Sequence, residues 1–324
     1  MSTLHSLLSL TIFLPLSHNI VCVSQTSNRY REGYSSMYTR RVRVIENFPY
    51  EYELNEKSLR MLLRAPTTEP PLLFSNLRRL TLWTRDLRPI SQLISLSQLP
   101  AARFLDFSIY KCPSRQELSS FLSSILMSGA GQTIEQLALE QSSSGDVPLR
   151  SNALKLGMED LQPCLAFSNL MWFKLRIAWR VDLDDSGVLA LASSWPLLES
   201  FSINTWCGWN TQGGITPHGL LQLFRICPSL HTIDIAIDTR GYTELPSSGL
   251  LANLTLPPWR SRIFIDILDS RIEAESVPAI AAFFARTPHS MVIFEHFHGC
   301  KSTSWEIYRK RWNDVRELME RTES

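Results

Sequence analysis

The chain has 324 residues, of which 44% are hydrophobic and 19% are charged, and its formal net charge is +1. This composition is typical of a globular protein and excludes a predominantly disordered chain. No strongly basic region occurs along the sequence, so we expect no nucleic-acid partner. No stretch approaches 18 uninterrupted apolar residues, so no transmembrane helix is predicted and we expect no membrane partner.

The first segment with a recognisable pattern is the apolar run LLSLTIFLPL at 7–16. It has the hydrophobicity of a signal-peptide core, but no Lys or Arg precedes it, and VCVSQ at 21–25 is a mediocre cleavage site. We therefore expect a cytoplasmic or nuclear protein, with secretion as the less favoured alternative.

A short strand pattern recurs beyond this segment. It has the form apolar–x–x–apolar–x–apolar, which predicts a strand with one buried face. Successive copies lie 25 to 36 residues apart, and their central apolar residues are Leu80, Leu105, Leu137, Phe173, Phe201, Ile233, Ile263 and Ile293. RRVRVI at 40–45 is interpreted as an earlier, degenerate copy. One sequence shape at such regular spacing is typical of a repeat protein.

Helical segments are predicted between the strands. In TPHGLLQLFRICPSL, Thr216 is a suitable N-cap and Pro217 occupies the first helical position, while Pro228 ends the helix. DDSGVLALASSWPLL (184–198) and SVPAIAAFFARTPHS (276–290) follow the same plan, and SRQELSSFLSSILMSGA (114–130) is a further helix that ends near Gly129.

A strand, a turn, a helix and a turn in about 30 residues predict an α/β leucine-rich-repeat solenoid. Parallel strands would line the concave face and helices the convex face. Each unit leaves apolar surface that its neighbours must cover. TIDIAID (232–238) is therefore predicted to pair with SFSIN (200–204) on one side and with RIFIDIL (262–268) on the other.

The segments FSNLRRLTLW (74–83), WPLLESFSI (195–203) and CPSLHTIDI (227–235) resemble F-box/leucine-rich-repeat proteins of the ribonuclease-inhibitor-like class. Among these they are similar to the F-box-like families of mushroom-forming fungi, over roughly residues 38–300. The resemblance implies a non-enzymatic module that recognises substrates for a cullin-type ubiquitin ligase and needs no cofactor.

Three regions follow from this comparison: an N-terminal extension at 1–37, the solenoid at 38–303 and a C-terminal capping helix at 304–324. Residues 6–30 are similar to the latter part of an F-box, which would bind the ligase adaptor, although the usual leading LP-x-E segment is missing. A signal peptide, a truncated gene model and an N-terminal cap for the solenoid remain alternatives for this extension. A leucine-rich-repeat scaffold without an F-box and without a ubiquitin role is the alternative function.

The remaining motifs favour structural roles. The chain has no GxSxG, P-loop, HExxH or GxGxxG motif, so no enzymatic activity is expected. WCGWNTQGG (206–214) is interpreted as an irregular connection rather than a ligand loop.

His296, His298 and Cys300 alternate and would share one face of an extended chain, but they lack a second regular ligand pair, so no metal is expected. WEIYRKRWNDVRELMER (305–321) predicts a capping helix, with a partner-binding helix as the alternative.

Cysteine usage gives a further expectation. The six Cys are scattered, and none occurs at CxxC spacing, which disfavours a structural zinc site. Single Cys inside apolar runs are expected to be small buried hydrophobes.

The partner-binding residues are expected on the concave face, at strand positions between the buried ones. Aromatic and arginine side chains at such positions are typical of binding hot spots. The predicted set is Trp83, Glu140, Lys174, Arg176, Asn204, Trp206, Asp234 and Asp238. The protein target itself is not predicted.

Overall fold

The computed structural model describes residues 43–46, 74–142, 154–205, 208–210, 214–243, 262–286, 290–294 and 303–323. The chain divides into two compact units. Unit 1 comprises residues 1–143 and 166–169, and unit 2 comprises residues 144–165 and 170–324. The described parts of both units are α/β, with helices connecting parallel strands.

The described part of unit 1 alternates strands and helices. In chain order its elements are β1 (Val44–Glu46), β2 (Arg79–Thr84), α1 (Leu87–Leu96), β3 (Phe104–Ile109), α2 (Arg115–Met127), a 3-10 turn (Ala130–Gln132) and β4 (Gln136–Gln141). The four strands are parallel, and each pairs with the next one along the chain. Parallel pairing of β2, β3 and β4 requires crossover connections that return the chain to the same end of the strands, and the segments that contain α1 and α2 provide them.

Unit 2 repeats the plan with more elements. The described ones are β5 (Lys155–Leu156), α3 (Met158–Leu161), a 3-10 turn (Gln162–Ala166), β6 (Trp172–Arg176), β7 (Arg180–Val181), α4 (Asp185–Ser194), β8 (Ser200–Ile203), α5 (Pro217–Ile226), β9 (Thr232–Asp234), β10 (Arg262–Asp266), a 3-10 turn (Ala274–Ser276), α6 (Val277–Arg286), β11 (Ser290–Phe294) and α7 (Thr303–Glu323). Strands β6, β8, β9, β10 and β11 are parallel neighbours in that order, whereas β5 and β7 form a separate parallel pair.

The strand register aligns the copies of the sequence pattern. In unit 1, Leu80 lies opposite Leu105, which lies opposite Leu137. In unit 2, Phe201 lies between Phe173 and Ile233, so these buried side chains stack along the sheet. The predicted pairing of TIDIAID with SFSIN and RIFIDIL is confirmed. The degenerate first copy is also confirmed as a strand, because β1 pairs with β2.

One copy of the pattern was centred two residues too early. Ile263 was predicted to align with Ile233, but Ile265 lies opposite both Ile233 and Ile293. RIFIDIL has apolar residues at every second position and lacks the leading apolar residue that sets the frame in the other copies. A shift of two residues keeps the same face buried, so alternation alone cannot distinguish the two frames.

The predicted helix boundaries are largely confirmed. The Thr216 hydroxyl accepts a hydrogen bond from the Gly219 N–H at 3.1 Å, Pro217 is the first residue of α5, and the helix stops at Ile226. Gly129 follows α2 with a φ of 82°, a conformation in which Gly lacks the Cβ clash of other residues.

Helix α1 is an element that was missed. Its sequence contains Pro89, which discourages a helical interpretation. Pro89 lies in the first turn, where the N–H of a residue has no intrahelical partner in any case. Asp86 caps the helix by accepting a hydrogen bond from the Arg88 N–H at 3.2 Å.

Aromatic residues form much of the core. In unit 1, the Phe107 and Phe121 rings meet edge to face at 5.2 Å. In unit 2, the buried Trp195 ring lies 4.9 Å from the Phe173 ring, and its indole N–H donates to the Cys164 carbonyl at 2.9 Å. The partner for the indole N–H removes the penalty of burying it.

Two of the three described cysteines are buried, as expected for small hydrophobes. Cys164 and Cys227 are buried and unbridged, and Cys112 is half-buried and unbridged. Burial raises the pKa of the Cys164 thiol. The Cys227 Sγ lies against the Trp195 carbonyl oxygen at 3.5 Å, so it fills space at the corner between α4 and α5.

The predicted C-terminal helix is present as α7. Trp312 and Val315 are buried, and the Trp312 ring lies 6.5 Å from that of Phe284 on α6. The Trp312 indole N–H donates to the Ser270 carbonyl at 3.0 Å. The apolar side of α7 is therefore used within unit 2. Among the described helices, none combines the length and the hydropathy needed to cross a bilayer.

Candidate protein-interaction face

Each sheet has a buried face and a second face, here called the outward face. In β6, Phe173 and Leu175 are buried, whereas the intervening Lys174 and the following Arg176 are half-buried. Successive residues of a strand point to opposite sides of the sheet. The outward face therefore carries the side chains that the strand pattern does not require for the core.

Trp83 and Glu140 lie in one row of the outward face of unit 1. Trp83 is opposite Ser108, and Ser108 is opposite Glu140. Neighbouring strands are about 4.8 Å apart, so the two backbones are about 10 Å apart. Both side chains are half-buried, whereas the small Ser108 between them is 9% exposed. The structure therefore brings these two predicted residues together.

Lys174 and Asp234 lie in one row of the outward face of unit 2. The row runs Lys174, Ser202, Asp234, Asp266 across four neighbouring strands. The Ser202 side chain is 5% exposed, and its hydroxyl has no hydrogen-bond partner among the described residues. An Asp266 carboxylate oxygen accepts from the Leu268 N–H at 3.0 Å. The row places a cation, a hydroxyl and two carboxylates side by side, and of these Lys174 and Asp234 are half-buried whereas Ser202 and Asp266 are buried.

Asn204 does not belong to the outward face, contrary to prediction. It follows β8 with a φ of 56° and is fully buried. Its side-chain oxygen accepts from the Ile177 N–H at 2.9 Å, and its amide donates to the Trp179 carbonyl at 2.8 Å. Trp179, which lies three residues beyond β6, is likewise buried. The left-handed turn at Asn204 changes the side-chain direction, so the period of two ends with the strand.

Asp238 is placed by a turn and an ion pair rather than by a strand. Strand β9 ends at Asp234, and Asp238 is half-buried beyond it. Its two carboxylate oxygens bind Arg240, at 2.9 Å to Nε and 2.7 Å to Nη2. Burial raises the pKa of Asp238, but the Arg240 hydrogen bonds and charge outweigh it and hold the pKa below its usual value. Trp206 lies outside the described residues.

Two aromatic residues of the outward face were missed. Trp172 is half-buried and Phe264 is 37% exposed. They lie in one row, with Ser200 and Thr232 between them, and the row continues from Phe264 to Val292 on β11. Trp172 directly precedes the central residue Phe173, so inspection of that position would have found it. Phe264 has the same position only in the frame centred on Ile265, which the pairing of β10 with β9 sets. Both aromatic residues extend the outward face with apolar surface.

The WCGWNTQGG connection is held by a buried carboxylate where it is described. Asp269 accepts from the Trp209 N–H at 2.6 Å and from the Asn210 N–H at 2.7 Å. Burial raises the pKa of Asp269, and these two hydrogen bonds oppose that effect. The Trp209 ring is buried, and its indole N–H donates to the Ile203 carbonyl. Because these contacts occupy the polar groups of Asp269 and the Trp209 indole, they favour the interpretation of this segment as a structural connection rather than as a ligand-binding loop.

In the part of the chain that the structure describes, no group of three or more His, Cys, Asp or Glu side chains is arranged to hold a metal ion. His296, His298 and Cys300 lie outside that part.

Comparison with known proteins adds no family. No protein-family model matches the chain, and a search of curated proteins likewise finds no match. A functional interpretation therefore depends on the repeat pattern, on the resemblance carried by its residues and on the outward face.

Proposed function

We propose that the chain is a non-enzymatic protein-interaction module, a leucine-rich-repeat solenoid that recognises substrates for an F-box type ubiquitin ligase. The observation that carries the proposal is the register of the strands. Within each unit, the central residues of successive copies lie opposite one another, as Leu105 does with Leu80 and Leu137. One repeated structural unit that covers its neighbour is the basis of a solenoid.

The outward face supports a binding role. In a solenoid the strands provide a continuous surface whose outward side chains are not needed in the core. Here that surface carries large aromatic and charged side chains, among them Trp172, Arg176 and Asp234. Buried aromatic and arginine anchors dominate the energetics of protein interfaces. We propose a protein target as the ligand of this face.

The ligase role is supported by the resemblance of the repeats to F-box proteins and by the apolar segment within residues 1–37. In this role the segment would bind the cullin-ligase adaptor, and the protein would act in the cytoplasm or nucleus.

The adaptor experiment decides between the two functions. The full-length chain should retain the purified adaptor in a pull-down, and a chain that lacks residues 1–37 should not. Equal retention by both chains would rule out an F-box remnant in this segment. No retention by the full-length chain would instead favour a scaffold without a ubiquitin role.

The face itself is tested with whichever target is recovered by crosslinking. Trp172→Ala together with Arg176→Ala should weaken target binding by at least ~2 kcal/mol, the usual threshold for a hot spot. The matched control is His218→Ala with Arg225→Ala, two exposed positions on α5. Loss of binding in the control alone would place the target on the helices.

A further inference from the structure

A row of arginines lies at the beginnings of the unit 1 strands. Arg43 precedes β1, Arg78 precedes β2 and Arg103 precedes β3. The Arg78 N–H donates to the Arg43 carbonyl at 2.7 Å, and the Arg103 N–H donates to the Arg78 carbonyl at 2.9 Å. All three residues are exposed. The three arginines are therefore direct neighbours on adjacent strands, although 60 positions of the chain separate the first from the last.

Carboxylates balance only one end of this row. Glu135 occupies the next position, and its Oε1 lies 2.9 Å from the Arg103 Nη1. Within the described part of the chain, the guanidinium groups of Arg43 and Arg78 form no ion pair. The exposed Arg79 is the first residue of β2 and directly precedes the buried Leu80, so it belongs to the outward face, where it is stacked over the Phe104 ring at 4.7 Å. We call Arg43, Arg78 and Arg103 the arginine rim.

The neighbouring guanidinium groups of the arginine rim repel one another. Neighbouring strands are about 4.8 Å apart, and like charges directly opposite on adjacent strands repel. An anionic ligand would replace this repulsion with attraction. The guanidinium is suited to this because it pairs with carboxylates through two parallel hydrogen bonds.

The equivalent positions of unit 2 carry a different set of residues. Backbone hydrogen bonds place Met171, Glu199 and His231 in the corresponding row, with the Glu199 N–H donating to the Met171 carbonyl and the His231 N–H to the Glu199 carbonyl. The repeat architecture itself therefore does not require arginine at the strand beginnings. The concentration of positive charge is specific to unit 1.

We propose that the arginine rim binds an acidic segment of a partner protein, a short run of Asp and Glu residues in extended conformation. Three neighbouring strands span about 10 Å, and an extended peptide repeats its same-side side chains about every 7 Å. Two carboxylates on one side of such a peptide therefore match the rim. A protein that makes about six to ten phosphate contacts on a nucleic acid needs more cations than the three arginines of the rim provide on a chain of net charge +1. This site is separate from the outward face and does not depend on the ligase role.

The experiment uses the full-length protein and a fluorescein-labelled decapeptide of alternating Asp and Glu, with binding followed by fluorescence anisotropy at low and at physiological salt. The test variant is Arg43→Gln with Arg78→Gln, the two rim arginines that form no ion pair with any described residue. The matched control is Arg309→Gln with Lys310→Gln, exposed on α7, which removes the same charge. We expect the test variant to bind the peptide at least about tenfold more weakly, since it loses two charge-assisted contacts, and the control to bind as the parent does.

A measurement of the melting temperature and a second variant accompany the binding experiment. Because Arg78 lies among like charges, its neutralisation should leave the melting temperature unchanged or raise it. If the Gln variant fails to fold, Arg43→Lys with Arg78→Lys takes its place, because it keeps the charge but loses the bidentate geometry and should bind with intermediate affinity. The proposal is overturned if the parent protein does not bind the acidic peptide, or if the control variant loses as much affinity as the rim variant. Tighter binding of a single-stranded oligonucleotide of matched charge would also overturn it.

Discussion

Asn204 has the sequence position of a surface residue, yet its side chain joins two backbone groups that follow β6. Ile177 N–H and the Trp179 carbonyl would otherwise be buried without these partners. A buried backbone group that loses its hydrogen bond costs about 1–3 kcal/mol. Asn is also among the few non-Gly residues that tolerate a positive φ. At the residue scale, Asn204 therefore stabilises the backbone that follows β6 and β8.

Substitution of Asn204 should separate these two contributions. Asn204→Gly keeps the positive φ without strain but loses both hydrogen bonds, and we expect a loss of about 1–3 kcal/mol in the free energy of unfolding. Asn204→Ala should lose about 1–2 kcal/mol more, because its φ of 56° is unfavourable for Ala. Urea denaturation measures both values. Equal stabilities for the Gly and Ala variants would contradict a left-handed conformation at this position.

Gly208 lies in the WCGWNTQGG connection, and Gly241, which lies outside it, is a suitable control for a substitution there. Both have a positive φ, 67° and 70°. A Cβ at Gly208 would lie 2.3 Å from the Asp269 Cγ, whereas a Cβ at Gly241 meets no atom within 4 Å. Gly241→Ala should therefore cost about 1–2 kcal/mol of unfolding free energy, the backbone term alone. Gly208→Ala should cost clearly more, because it also displaces the buried carboxylate. Thermal or urea unfolding that ranks Gly241→Ala as the worse variant would disprove the anchoring role of Asp269.

At the element scale, side-chain caps determine where the helices begin. The Asp184 carboxylate caps α4 by accepting from the Gly187 N–H at 2.9 Å, and the Ser114 hydroxyl with Glu117 forms a capping box on α2. These signals are local in sequence, and for that reason the helices were predicted near their observed bounds. Helix α1 lacks an equally plain signal because Pro89 obscures its first turn.

The Asp184 cap should depend on pH. The Gly187 N–H, followed by the Ser186 hydroxyl, lowers the pKa of Asp184 below its usual value. A lowered pKa in the folded state means that the stabilisation is present above the ordinary pKa of Asp and is lost as the pH falls through the lowered value. Asp184→Ala should therefore cost about 1 kcal/mol at neutral pH and progressively less in acid.

Urea denaturation of parent and variant at neutral and acid pH measures this difference. Asp314→Ala, at an exposed position of α7, is the control for general effects of charge removal. A difference between parent and Asp184→Ala that stays constant with pH would exclude the carboxylate as the capping group.

At the scale of the whole molecule, the proposed solenoid predicts how far the loss of local stability extends from a core substitution. In a repeat array each repeat contacts only the repeats next to it. The stability of the array is therefore a sum of the stabilities of the single repeats and of the interfaces between neighbouring repeats. Leu105→Ala removes a fully buried side chain from β3 and should cost about 2–5 kcal/mol. Amide exchange should accelerate most in β2, β3 and β4. Ile233→Ala in β9 should act in the same way on β8, β9 and β10.

Hydrogen-exchange mass spectrometry on both variants measures this pattern directly. The two variants serve as controls for each other, because each should leave the strands around the other site closer to parental exchange rates. Uniform acceleration across all described strands in both variants would contradict the nearest-neighbour behaviour that a solenoid requires.

The sequence alone determined the recurring strand, the parallel pairing of neighbouring copies and most helix bounds. These features follow from local rules, since alternation marks a buried strand face and caps or Pro and Gly mark helix ends. The paired positions Trp83 with Glu140 and Lys174 with Asp234 were also accessible, because they share an offset from the central residue of their copies.

The tertiary structure decided what depends on contacts between distant segments. The frame of β10 required the pairing of Ile265 with Ile233. The burial of Asn204 required the backbone groups after β6, and the anchoring of Trp209 required Asp269, 60 positions away in the chain. The arginine rim exists because hydrogen bonds between parallel strands place Arg43 beside Arg78. Such neighbours are set by backbone pairing across the sheet, and the strand pattern, which records only the buried face of each strand, carries no information about them.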